Sequence, residues 1–188
     1  DEALSELTLT VSNLGVDANG EKLIVDGTTL TLTDHSGTSA STYPYNYDIS
    51  VVGDTATVTL TGNWSETEVN KLIESVQYHN SADNLESGDR TITLTSVTGS
   101  EGGINNALTL ASTVSITAVN DEPTLDTTVT TGGFIENTPA LALFSGTDIS
   151  TIESGQLITG LTLTVANLAD GADEKLTVDG TEFSLMAG

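Results

Sequence analysis

Carboxylates are the chemistry-bearing side chains that this sequence holds in quantity. The chain has 188 residues, with 27 Asp and Glu against 4 Lys and Arg, and a formal net charge of −23. A chain of that sign attracts cations. Calcium (Ca2+) is the candidate, because it is hard and takes six to eight oxygen ligands. Other residues offer less. His35 and His79 lie 44 positions apart with no H-x-x-H or H-E-x-x-H context, so zinc is not expected. Asp34-His35-Ser36 contains the letters of a catalytic triad. Neighbours at a strand end point in different directions, and no nucleophile elbow or oxyanion-hole glycine run accompanies them. No enzyme is expected. Tyr43-Pro44-Tyr45-Asn46-Tyr47 is an aromatic cluster in a loop. Such rings can stack on sugars or protein surfaces, but packing in the core or a hairpin is the expectation.

Composition excludes several partners. Four basic residues leave no electrostatic footprint for nucleic-acid phosphates or anionic lipid surfaces. No apolar run reaches about 18 residues, so no transmembrane helix or membrane insertion is expected. Cysteine is absent, which removes disulfides and thiolate metal sites. The chain starts at Asp1 and reads as a fragment of a longer protein.

The elements that must position these groups follow from periodicity. Leu7–Val11 and Leu161–Val165 alternate strictly between apolar and polar. Val51–Leu60 alternates most clearly over Ala56–Leu60, and Ile92–Val97 and Val114–Val119 follow loosely. Each is expected to be a half-buried strand with Leu, Ile or Val inward and mostly Thr outward. The chain holds 33 threonines, whose β-branched polar side chains suit a solvated sheet face. Turn signals fall at Asp26-Gly27, Gly53-Asp54, Ser87-Gly88-Asp89, Gly102-Gly103 and Asp179-Gly180. The pattern predicts an all-β fold, an antiparallel β-sandwich. Ser65-Glu66-Thr67-Glu68 is a capping box, and Val69, Leu72, Ile73 and Val76 follow at helical spacing. One short helix is predicted over about 66–75, packed on the sandwich.

An internal repeat is the most informative feature. Residues 7–32 align with 161–185 once Val16 is removed as an insertion, and 16 of the 25 aligned positions are identical. The offset of 153 to 154 predicts a tandem array with a unit of about 153 residues. Ala118-Val119-Asn120-Asp121-Glu122-Pro123 closes a strand and stops it with proline, so the linker is placed around 118–123. Residues 1–120 are then a repeat lacking its first strands, and 121–188 the opening part of the next. A partial sandwich leaves open edges, so strand exchange or packing with a second copy is expected of 121–188.

Asn120-Asp121-Glu122-Pro123 resembles the N-D-x-P junction of cadherin-like tandem repeats in giant bacterial surface adhesins, the type I-secreted, RTX-type adhesins. Tyr78–Asn84, Gly88–Leu94 and Phe134–Thr138 are also similar to those repeats. The resemblance covers essentially the whole chain. It implies an immunoglobulin/cadherin-like sandwich, an extracellular place on the bacterial cell surface, and neighbouring repeats of the same chain as partners. It further implies calcium at the junctions, with Asp83, Glu86 and Asp89 in an acidic loop, Asn120 and Asp121 in the linker, Glu136 as the first-strand Glu, and Asp148 from the following domain. Two positions of the pattern are filled otherwise. Ala118 stands where the linker's opening Asp belongs, and the strand from Ile92 runs into Thr98-Gly99-Ser100 instead of an Asp. One calcium, or a weaker site, is therefore expected.

The function implied is a structural extender repeat, stiffened by calcium, in a cell-adhesion protein. The alternative is a ligand-binding module that contacts carbohydrate or another cell surface through Tyr43–Tyr47. Asp17, Asp170, Asp173 and Glu174 fall in hairpin loops and are expected to be solvated.

Overall fold

The computed structural model describes residues 3–15, 18–101 and 106–185. The chain divides into two compact units, Asp1–Asn120 and Asp121–Gly188.

The first unit is an antiparallel sandwich of two sheets. Its strands are β1 (Leu4–Ser12), β2 (Glu21–Val25), β3 (Thr28–Thr31), β4 (His35–Thr38), β5 (Asn46–Val52), β6 (Thr55–Trp64), β7 (Gln77–Asn80), β8 (Gly88–Gly99) and β9 (Asn106–Ile116). One sheet has six strands in the order β4-β5-β6-β1-β8-β9, and the other has three, β3-β2-β7. The Thr/apolar alternation builds β1 as expected. Leu7, Leu9 and Val11 are 0%, 4% and 0% exposed, while Thr8 and Thr10 stay half-buried on the other face. Leu7 pairs with Leu60 and Val97, Leu9 with Val58 and Leu94, and Val11 with Ala56 and Ile92. These side chains meet Leu23, Val25 and Leu30 of the small sheet in one core. Each fully buried Leu or Val contributes about 1.5–3 kcal/mol of transfer free energy. On the outer face, Ser50, Thr57, Thr10 and Thr93 form a polar row across four strands.

The helix α1 runs Glu66–Glu74. Ser65 Oγ accepts from the Glu68 amide (3.4 Å), and the Ser65 amide donates to Glu68 Oε2 (2.7 Å). The Ser65 amide first, and then the Ser65 hydroxyl donating to the same oxygen (2.8 Å), hold the Glu68 carboxyl below its usual range. Val69 and Leu72 bury the apolar face on the core. Ser65→Ala removes the cap and should cost about 1 kcal/mol in a urea melt. An unchanged midpoint would show that tertiary packing alone holds α1.

Trp64 ends β6 and folds back over Gly62, where a Cβ would overlap its indole. Its Nε1 donates to the Pro44 carbonyl (3.2 Å). Two expectations about β5, β6 and β9 change. The alternation from Val51 to Leu60 is not one strand, because Gly53 takes φ 64° and turns β5 into β6. The strand expected over Val114–Val119 ends at Ile116, after which the Ala118 amide turns to Ser87 Oγ (2.9 Å). The Gly102-Gly103 turn signal lies outside the described residues.

The second unit holds two hairpins. β10 (Thr124–Val129) pairs with β11 (Phe144–Ser150), and β12 (Lys175–Val178) with β13 (Thr181–Ser184). The β12–β13 hairpin copies β2–β3. Asp26 and Gly27 have φ 44° and 79°; Asp179 and Gly180 have 47° and 75°. Positive φ at both central residues is the primed turn that matches strand twist. Leu161–Val165, expected as a strand, is not one here. Its counterpart β1 exists by bonding to β6 and β8, and the described residues of the second unit contain nothing equivalent to either. Alternation alone cannot satisfy the strand's amides and carbonyls.

Candidate functional site

The acidic segment leading into β8 is exposed, and Asp89, expected in the loop, is the second residue of β8 itself. Asp83, Glu86 and Asp89 all face solvent. Asp89 Oδ1 accepts from Ser115 Oγ (2.6 Å), its cross-strand neighbour on β9. Glu86 and Asp89 share a shallow groove with Asp54 and Arg90, whereas Asp83 does not line it. Asn120 is exposed and Asp121 half-buried. The Asp121 amide donates to Glu153 Oε1, while Glu153 Oε2 is buried with no hydrogen-bond partner. Sequence reasoning missed Glu153, which follows β11 in an irregular stretch.

Glu136 does not sit on a strand. It lies exposed in a turn that Asn137 closes at φ 65° and the Thr138 amide fastens to the Ile135 carbonyl (3.2 Å). Asp148 lies on β11 directly opposite Asp126 on β10. Like charges facing across a ladder repel. Among the described residues no three His, Asp or Glu side chains converge tightly enough to hold a metal. The fit to calcium is thus partial. The donors are hard oxygens, and Glu153 has a buried oxygen to spare, but no cage is preassembled within the described residues.

The strongest electrostatic feature lies elsewhere, inside the first unit. Glu21 and Arg90 are 1% and 3% exposed. Arg90 Nε donates to both carboxylate oxygens of Glu21, at 3.0 and 3.2 Å. The Gly15 amide (2.7 Å) and the Tyr78 hydroxyl (3.0 Å) donate to the same carboxylate. Burial, and then Glu21 as acceptor and negative charge, push the Tyr78 phenol up to about 12. A buried charge persists when paired and hydrogen-bonded, and this one is both. The network ties the Gly15 loop, β2, β7 and β8 together. Its bonded pairs are up to 69 residues apart, so no local motif could reveal it.

All four basic residues have assigned contacts. Arg90 holds Glu21, Lys71 pairs with Glu74 and Lys175 with Glu182. Lys22 donates to Ser81 Oγ (2.9 Å). Of the loop acids expected to be solvated, Asp170 and Asp173 are exposed. Glu174 is half-buried, and its Oε1 accepts the Ala169 and Asp170 amides (2.9 and 3.2 Å). Asp17 lies outside the described residues.

The remaining candidates serve structure. Tyr45 is 2% exposed, and its hydroxyl donates to the Val25 carbonyl (2.9 Å). Tyr43 and Tyr47 pack partly buried against the core. Asp34 Oδ1 accepts the Val51 amide (2.6 Å), and His35 Nδ1 donates to the Thr33 carbonyl (2.8 Å). Neither bond joins Asp34, His35 and Ser36 to one another. His35 lies on β4 of the six-stranded sheet and His79 on β7 of the three-stranded one.

No protein-family profile matches the chain, and comparison with curated proteins and with solved structures gives no significant match.

Proposed function

We propose that this chain is a structural extender repeat of a secreted bacterial cell-surface adhesin, of the cadherin-like kind, with calcium binding stiffening it around residues 120–121. The observation that carries the reading is the repeat. The β2–β3 hairpin and its loop recur 153 positions later with the same turn dihedrals and the same Glu-to-amide bond. Repetition of one unit changes length above all else, which suits a spacer. Outward threonines on the six-stranded sheet of the first unit, and a net charge of −23 over the chain, disfavour self-association.

Asp121 and Glu153 are the residues we assign to the calcium first, with Asn120 beside them. Asp83, Asp89, Glu136 and Asp148 stand as further ligands only where another part of the chain brings them in. Water and backbone carbonyls supply the remaining oxygens. Such a site binds with Kd on the order of 10⁻⁴–10⁻³ M.

A thermal melt tests this. Calcium at about ten times Kd, which is about 1–10 mM for this range, stabilises by about 1.4 kcal/mol. Millimolar CaCl₂ should raise Tm relative to EDTA, MgCl₂ should not, and Asp121→Ala or Glu153→Gln should abolish the rise. Equal melts in calcium and EDTA would remove calcium from the reading and leave a spacer with a charged surface.

A further inference from the structure

Two segments of this chain are built for one position in the fold. Residues 4–31 fill that position as β1, β2 and β3. Residues 158–184 repeat them but leave most of their apolar side chains in solvent, with Leu168 and Leu176 half-buried. Leu161, Leu163 and Val165 are 69%, 45% and 43% exposed, against 0%, 4% and 0% for Leu7, Leu9 and Val11. Backbone conformation already matches at the turns. Asn13 and Asn167 have φ 61° and 62°, beside the Asp-Gly pairs described above. The Leu32 amide bonds the Glu21 carbonyl (2.9 Å), and the Leu185 amide bonds the Glu174 carbonyl (2.8 Å).

We propose that residues 158–184 of one copy can replace residues 4–31 of a second copy, filling the slot of β1 between β6 and β8 and the place of β2 and β3 beside β7. The register follows from the repeat. Leu161 takes the place of Leu7 between Leu60 and Val97, Leu163 that of Leu9 between Val58 and Leu94, and Val165 that of Val11 between Ala56 and Ile92. Glu174 takes the place of Glu21 on Arg90, so the slot's one buried cation keeps a carboxylate. That charge match distinguishes this occupant from an arbitrary apolar strand.

Three differences set the order of preference. Ala169 replaces Gly15, where a Cβ lies 2.8 Å from an Arg90 terminal nitrogen, which a flexible guanidinium can relieve. Asp173 replaces Gly20, where a Cβ lies 2.7 Å from the Ala82 Cβ and 2.8 Å from its backbone nitrogen. Phe183 replaces Leu30, which is 0% exposed, so the larger ring must enter a fully enclosed position. Overpacking and backbone overlap favour the chain's own segment. Gly20/Asp173 and Leu30/Phe183 are therefore the specificity positions that keep the exchange from competing in the wild type.

Full-length Leu7→Asp/Leu23→Asp disables the chain's own segment and tests the idea. The expected result is a dimer, twice the monomer mass by light scattering, in which Trp64 keeps the emission of a buried indole. Adding Leu161→Asp/Leu176→Asp should abolish both. Adding Asp173→Gly/Phe183→Leu should instead raise the dimer's Tm. The proposal is overturned by an unfolded monomer with exposed Trp64, by a folded monomer, or by a dimer indifferent to the changes at 161 and 176.

Discussion

Arg90→Leu is expected to destabilise the first unit by about 3–5 kcal/mol, because it strands the Glu21 carboxylate in the interior without its cation. The measurement is a urea melt followed at Trp64, the sole tryptophan, which lies in that unit. The companion variant Glu21→Leu/Arg90→Leu removes both charges and should recover part of the loss. It cannot recover all of it. The Gly15 amide and the Tyr78 hydroxyl lose their acceptor, and each orphaned buried donor costs about 1–3 kcal/mol. A loss under about 1 kcal/mol for Arg90→Leu would mean that water reaches Glu21, and the network would lose its claim to hold the unit together.

The second large effect is a contrast between repeat equivalents. Leu7→Ala should cost about 2–5 kcal/mol, since Leu7 is wholly buried and truncation leaves a cavity. Leu161→Ala, the same substitution at the matching position, should cost less than about 0.5 kcal/mol, as expected of a site 69% exposed. Leu7→Ala is read from the Trp64 melt, and Leu161→Ala, which lies in the second unit, from a far-UV circular dichroism melt of the whole chain. Equal losses would show that Leu161 is buried in solution, and the exposed state of the segment would have to be abandoned.

The features legible in the sequence are those with local causes. Thr alternation marks β1 and β8, the capping box marks α1 to within a residue, and the two Asp-Gly turns are visible as dipeptides. Features that need distant partners were misread or missed. Leu161–Val165 carries the same five letters as Leu7–Val11, yet only the latter is a strand, because strand formation depends on what lies alongside. Glu21 and Arg90 look like two ordinary surface charges until the fold brings them together. Glu153 gave no signal, because its interest is one buried oxygen. The aromatic run Tyr43–Tyr47 could be read either way, and the Tyr45 hydroxyl on the Val25 carbonyl decides for packing.

The position of β1 between β6 and β8 has a consequence in time. Ser5 Oγ donates to the Gly99 carbonyl, 94 residues along the chain. At the usual pace of synthesis, about 5–20 residues per second, β1 leaves the ribosome roughly 5–20 s before β8 is complete. Its neighbour β6 is complete a little past the middle of that interval, so β1 then waits for its second partner with one edge open. The β2–β3 hairpin needs no such wait, since its ends are a few residues apart. When β8 does emerge, residues 158–184 have not been made. Of these two equivalent segments the first therefore meets the slot before the second exists, and order of appearance reinforces what Gly20 and Leu30 enforce by fit.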